Sequence, residues 1–137
     1  MSDTVLVPLI VVGFAVVFPL FWLGIVGLIG RLGWGPLAEA FPAEDWPEEG
    51  YRVRFQSARI GASSYGNALH AVATDDGLYL RPMLLFRFGH APVFIPWRAF
   101  VSVQTVAFGR RFVLRGAPDL VLYGRLAKAV EAAADAI

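Results

Sequence analysis

The sequence predicts an α+β protein: a single N-terminal transmembrane helix, then a small antiparallel β-roll or partly open barrel of about seven strands, capped by a C-terminal helix. Three observations predict it. Residues 5–29 read VLVPLIVVGFAVVFPLFWLGIVGLI without one charged side chain. From Tyr51 onward, short runs with apolar residues at every second position are separated by Gly, Pro and Asp, the pattern of strands and turns. In the last segment the period lengthens, placing Leu126, Val130, Ala133, Ala134 and Ile137 on one helical face.

The 137 residues are 57% hydrophobic, above the roughly 45–50% of ordinary domains, and the excess lies at the front. This divides the chain into a membrane segment (1–30), a connecting stretch (31–50) and a domain (51–137) large enough for one core. Net charge is +1 but unevenly placed. Residues 31–50 hold one Arg against Glu39, Glu44, Asp45, Glu48 and Glu49, giving −4, whereas residues 51–137 hold ten Arg and one Lys against five acids, giving +6. The chain has no Cys, which excludes disulfides, a thiolate nucleophile and Cys-based metal sites. A modest charge excess without a basic helical stripe argues against nucleic acid as a partner.

At about 1.5 Å per residue, residues 5–29 span roughly 37 Å, more than the ~30 Å hydrocarbon layer of a bilayer. A secretory signal would want Lys or Arg near its start, a shorter apolar core and a small-residue cleavage site. Met1, Ser2, Asp3 and Thr4 supply no cation, so an uncleaved anchor bounded by Val5 and Ile29 is expected. Pro8 falls in the first turn, whereas Pro19 removes a mid-helix hydrogen bond and should bend the span. Trp22 should face lipid or a neighbouring helix, and Gly13, Gly24 and Gly27 share a shallow face that would admit one. Arg31 follows the run at once and no Lys or Arg precedes it. The positive-inside bias then predicts a single-pass inner (cytoplasmic) membrane protein, N-terminus outside and domain in the cytoplasm.

Trp34, Leu37, Ala38 and Phe41 recur at spacings of three and four, with Pro36 at the start and Pro42 at the end, which predicts a short amphipathic helix. Arg31, Trp34, Leu37 and Phe41 are the expected interfacial set, with the helix lying against the membrane or the domain. Residues 42–50, PAEDWPEEG, read as an acidic linker.

In the first strand Tyr51, Val53 and Phe55 alternate with Arg52, Arg54 and Gln56, giving one dry and one wet face. Residues 61–67 (GASSYGN) are expected as a loop, 68–74 as a strand, Asp75-Asp76-Gly77 as a hairpin turn and 78–81 as the return strand. Residues 84–88 and 93–97 bracket a Gly89-His90-Ala91-Pro92 turn. Residues 100–108 form the next strand, Gly109-Arg110 turns into 112–115, and 120–123 is the last.

The strand order with its terminal helix, the Thr74-Asp75-Asp76-Gly77-Leu78-Tyr79-Leu80 hairpin, and Ile95-Pro96-Trp97 leading into Phe100-Val101-Ser102-Val103 resemble the bacterial pleckstrin-homology-like and GRAM-like domains, often attached to membrane helices. The resemblance covers residues 51–137 and implies a curved antiparallel sheet with a helix across its opening. Phosphoinositide-binding members carry Lys and Arg around the loop between the first two strands. This chain departs from that pattern, with no basic residue between Arg59 and Arg81, so the resemblance implies a fold more than a ligand.

Arg52 and Arg54 share a strand face, Arg110 and Arg111 a turn, and Trp97 follows a proline. These five are the candidate partner or lipid contacts, because guanidinium suits carboxylates and phosphates. A solvated face, or pairing with Glu44, Asp45, Glu48 and Glu49, is the plainer reading of the same Arg residues. His70, Tyr65 and Arg81 are what an enzyme or ligand sensor would use, but no nucleophile, base and orienter stand in recognisable spacing. Two His residues without a third ligand make a poor metal site. No catalytic residue, cofactor or metal is therefore expected. The expected function is a non-catalytic membrane-anchored interaction module, an accessory or assembly subunit of a membrane complex. Its partners would be the lipid bilayer and other membrane proteins or a second copy of itself. An anionic-lipid-binding module and an enzyme or small-ligand sensor are the alternatives.

Overall fold

A computed structural model describes residues 3–29, 33–84, 87 and 90–135. Apolar side chains surround helix α1 (Asp3–Ile29), which runs unbroken through Pro8 and Pro19 with most of its large residues, Val5 among them, exposed. It is long and apolar enough to cross a membrane. Phe14, Phe18 and Trp22, four residues apart, form a stacked row with centroids 5.2 and 6.5 Å apart. A Cβ at Gly13 or Gly24 would meet nothing, so that shallow face is open. Burial begins at Val26. Arg31, expected at the interface, lies outside the described residues.

Of the two places expected for the connecting helix, against the membrane or against the domain, it takes the second, and the described residues expected at the interface go with it. Trp34 and Leu37, the latter in α2 (Gly35–Ala40), are wholly buried in the domain core, and Phe41 packs half-buried against it. The Trp34 indole N–H donates to the Ala91 carbonyl at 2.6 Å, and its ring meets those of Tyr65 and His90 at 5.7 and 5.6 Å. A headgroup position would forfeit both the packing and that hydrogen bond. Just before Trp34 the chain passes so near the sheet that a Cβ at Gly33 would collide with the Ile60 carbonyl. The core therefore begins well ahead of Tyr51.

Seven strands follow: β1 (Tyr51–Ile60), β2 (Ser63–Ala73), β3 (Gly77–Pro82), β4 (Val93–Pro96), β5 (Phe100–Val106), β6 (Gly109–Leu114) and β7 (Leu120–Tyr123). They form one antiparallel sheet in the order β4-β3-β2-β1-β7-β6-β5, curled into a half-barrel of pleckstrin-homology-like shape. Helix α3 (Gly124–Asp135) closes it, burying the expected Leu126 and Val130 and also Ala127, with Ala133 and Ala134 partly buried against the core; Ile137 lies outside the described residues. The expected α+β class is the one adopted.

Four local expectations change. The predicted loop 61–67 shrinks to a turn at Gly61-Ala62, because buried Ser63 and Tyr65 alternate with exposed Ser64 and Gly66 as a strand requires. In β1 the alternation fails after Val53: irregular pairing flanks Gln56, and Phe55 takes a left-handed φ of 55° and turns outward. The β5–β6 turn falls at Ala107-Phe108, two residues ahead of the predicted Gly109-Arg110, since Gly109 sits in β6 where a Cβ would strike the Leu122 carbonyl. Of the strand expected at 84–88, residues 85, 86 and 88 lie outside the described residues, and neither Leu84 nor Arg87 is in a strand.

After α2 the chain wraps the sheet's rim. Pro42 bridges Val93, Phe94 N–H donates to Phe41 O (3.0 Å), and Ala43 N–H donates to Pro92 O (3.1 Å). The tether thereby covers the β4 edge, which would otherwise present unpaired backbone groups, and carries Trp46 to the outer face, against Tyr79 (6.1 Å).

Replacing Trp34 by Ala in the full-length chain should cost about 3–5 kcal/mol of stability. Denaturant unfolding in detergent, followed by the loss of β-sheet signal, checks this; a cost below about 1 kcal/mol would place Trp34 outside the core.

Candidate functional site

Side chains on β1, β2 and β3 reach the outer face at positions set by register. The two-residue turn Asp75-Asp76 places His70 opposite Arg81, and Tyr51↔Ala73 pairing places Arg52 opposite Val72. Arg52, Arg54, His70, Arg81, Arg87 and the tether's Trp46 line one cleft of about 250 Å³. The Arg81 guanidinium lies 4.2 Å over the Trp46 ring, a cation–π stack. The other fixed contacts are to carbonyls: Arg52 donates to Pro47 O (2.5 Å) and Arg87 Nε to Pro82 O (3.1 Å). Phe55, turned outward, sets its ring edge to face with His70 at 5.6 Å.

Charge in this cleft is uncompensated. None of its lining residues is acidic, and the one ion pair among the described residues is elsewhere, Arg110 Nε to Glu131 at 2.8 Å. Glu44, Asp45, Glu48 and Glu49, an alternative partner set for the Arg residues, are exposed and form no ion pair with them. Three buried nitrogens of the lining residues, Trp46 Nε1, His70 Nε2 and Arg81 Nε, have no hydrogen-bond partner. An unsatisfied buried group of this kind costs about 1–3 kcal/mol. Burial, followed by the Arg81, Arg54 and Arg87 charges, pushes the His70 pKa below its ordinary 6.5. Burial and the charges of Arg87 and Arg52 lower that of Arg81. The arrangement disfavours additional cations and offers convergent charge and donors to an anion.

The other sequence candidates go elsewhere. Arg110 and Arg111 lie in β6 rather than in a turn, Arg110 held by Glu131 and Arg111 exposed. Trp97, a candidate contact, is buried in a short 3-10 turn (Trp97–Ala99) with its N–H on Thr74 O at 3.0 Å and its ring on Phe100, so it cannot meet a partner. Tyr65 is separated from His70 and Arg81: it is buried, shares a 2.9 Å hydrogen bond with His90 Nε2, and is pushed up to about 12 by burial, with a Ser63 hydrogen bond opposing. Trp46 and Arg87 were not among the sequence candidates; nothing in the acidic linker or the stretch after Pro82 marks them as members of one cleft. A second cleft, about 410 Å³, lies beside the end of α2 and is lined by Phe41, Pro96, Arg98 and Arg115. Among the described residues no group of three His, Asp or Glu gathers as metal ligands. No protein-family model matches the chain, and no curated protein matches it in sequence.

Arg54→Gln should raise the His70 pKa toward 6.5, read from the imidazole resonances across a pH titration; an unchanged value would put Arg54 out of range. Because the folded pKa is depressed, the His70 contribution to stability is complete above 6.5. It declines as pH falls through the window below, where the unfolded chain takes the proton first.

Proposed function

We propose that the chain is a non-catalytic, single-pass membrane-anchored module whose β domain captures an anionic group in the cleft on its outer face. The observation that carries the reading is that Arg52, Arg54, Arg81 and Arg87 share a cleft without an acid. Guanidinium groups match carboxylate and phosphate oxygens in pairs. His70 is the only lining group that titrates near neutrality, and its depressed pKa reflects burial and surrounding cations; no nucleophile lines the cleft beside it. That chemistry suits holding an anion better than transforming one.

The apolar helix supports an uncleaved anchor in the inner membrane. The lack of cations before the helix and Arg31 after it support an outside N-terminus and a cytoplasmic domain. In that setting the module serves as an accessory or assembly subunit whose cleft seats an anionic group on a neighbouring component. A second reading, capture of the anionic leaflet itself, is favoured by Phe55, which is 57% exposed beside the cleft and suits an interfacial position.

Two measurements test the proposal. An alkaline wash should leave the intact chain in the membrane pellet; release to the supernatant refutes the anchor. The full chain in neutral-lipid nanodiscs should bind polyglutamate or phosphatidylserine vesicles, less so as salt rises. Arg52→Glu combined with Arg54→Glu should abolish this, and binding indifferent to both substitutions refutes the cleft.

A further inference from the structure

We infer that the outer-face cleft is a site for a phosphoryl oxyanion, bonded by Arg81 Nε, His70 Nε2 and the Trp46 indole N–H within the surrounding guanidinium groups. The inference rests on the proposed anion-capturing role and names the class of anion.

Charge is the first argument. Four guanidinium groups line the cleft with no acid. A carboxylate would bring one negative charge, whereas a phosphate monoester brings about −1.5 to −2 and three strong acceptor oxygens. Donor count is the second. Three buried nitrogens lack partners, and they belong to residues lining one cleft. A tetrahedral oxyanion has an oxygen for each. Arg52 and Arg87 are held by carbonyls through one nitrogen each, leaving further N–H groups to donate.

Size is the third argument. The cleft is about 250 Å³, below the roughly 300–1,000 Å³ of pockets for drug-sized ligands. It suits a single headgroup with some water better than an extended organic molecule. Location separates it from the loop at which phosphoinositide-binding relatives in shape would act. Here the β1–β2 turn is Gly61-Ala62, while the cleft residues sit at Arg52 and Arg54 on β1, well back along the strand from that turn.

His70 reports occupancy. Arg54, Arg81 and Arg87 oppose its protonation, Phe55 covers one side of its ring, and the tether carboxylates are exposed without ion pairs. A bound phosphoryl group offsets those cations and moves the His70 titration upward.

The full chain is examined in neutral-lipid nanodiscs with inorganic phosphate, with acetate, and after incorporation of phosphatidate or phosphatidylserine. Phosphate or phosphatidate should saturate the site and raise the His70 imidazole pKa. Arg81→Gln should weaken this by roughly ten- to a hundredfold, and His70→Gln should weaken phosphate affinity by as much, measured as bound phosphate because the imidazole is gone, while Arg111→Gln, outside the cleft, leaves both unchanged. Thermal unfolding without added anion shows whether each variant is folded, and Arg81→Lys keeps the charge while removing Nε as donor. Response to free phosphate assigns a soluble phosphate; response to phosphatidate alone assigns a lipid headgroup. Equal response to acetate, or indifference to Arg81, overturns the inference. Failure of phosphate and phosphatidate while polyglutamate or phosphatidylserine still binds through Arg52 and Arg54 overturns it but leaves the proposed function. Failure of every anionic probe overturns both.

Discussion

Everything in this structure depends on the burial of Trp34 and Leu37 inside the half-barrel. A curled sheet with one short helix across it leaves an apolar interior that must be filled, and the segment following α1 supplies the filling. The indole satisfies its own N–H on Ala91 while packing on Tyr65 and His90, so a large ring is accommodated without an orphaned donor. The same segment then turns around the β4 rim and lays Trp46 on the opposite face. One stretch of chain thus packs on both sides of the sheet.

That arrangement explains why two sets of arginines behave differently. Arg110 is neutralised by Glu131 from α3 and reads as a structural tie between sheet and helix. Arg52, Arg81 and Arg87 are positioned by a carbonyl, an indole face and another carbonyl. These contacts fix the guanidinium groups without cancelling their charge. A protein optimised only for stability would place carboxylates there, and acidic residues stand close by in the linker. Keeping positive charges positioned but unpaired beside buried unsatisfied nitrogens is a local cost of the kind found at binding sites.

Much of the architecture was legible because it follows from periodicity. The apolar run, the period-two strands, the Thr74–Gly77 turn and the period of α3 each follow from local chemistry. His70 opposite Arg81 was also within reach, since a two-residue turn sets hairpin register by counting outward. The bulge around Phe55 was not: nothing local distinguishes it from the inward Val53, and its left-handed backbone is imposed by pairing with β2. For Trp34 the local pattern fits a headgroup position, where an aromatic after an apolar span usually sits, as well as it fits the domain; its partners are far away in the chain. Trp46 shares that difficulty. Contacts across the sheet rim leave no periodic trace.

Trp34 bonds Ala91, 57 positions later, and this separation has a consequence for synthesis. At about 5–20 residues per second, the apolar rod and Trp34 leave the ribosome seconds before that indole has anything to grip. Newly made copies therefore pass through a stage in which the apolar rod is complete and the half-barrel is still missing its plug's socket. The later strands close around a segment already synthesised, so a chain interrupted before Ala91 would leave that ring uncovered.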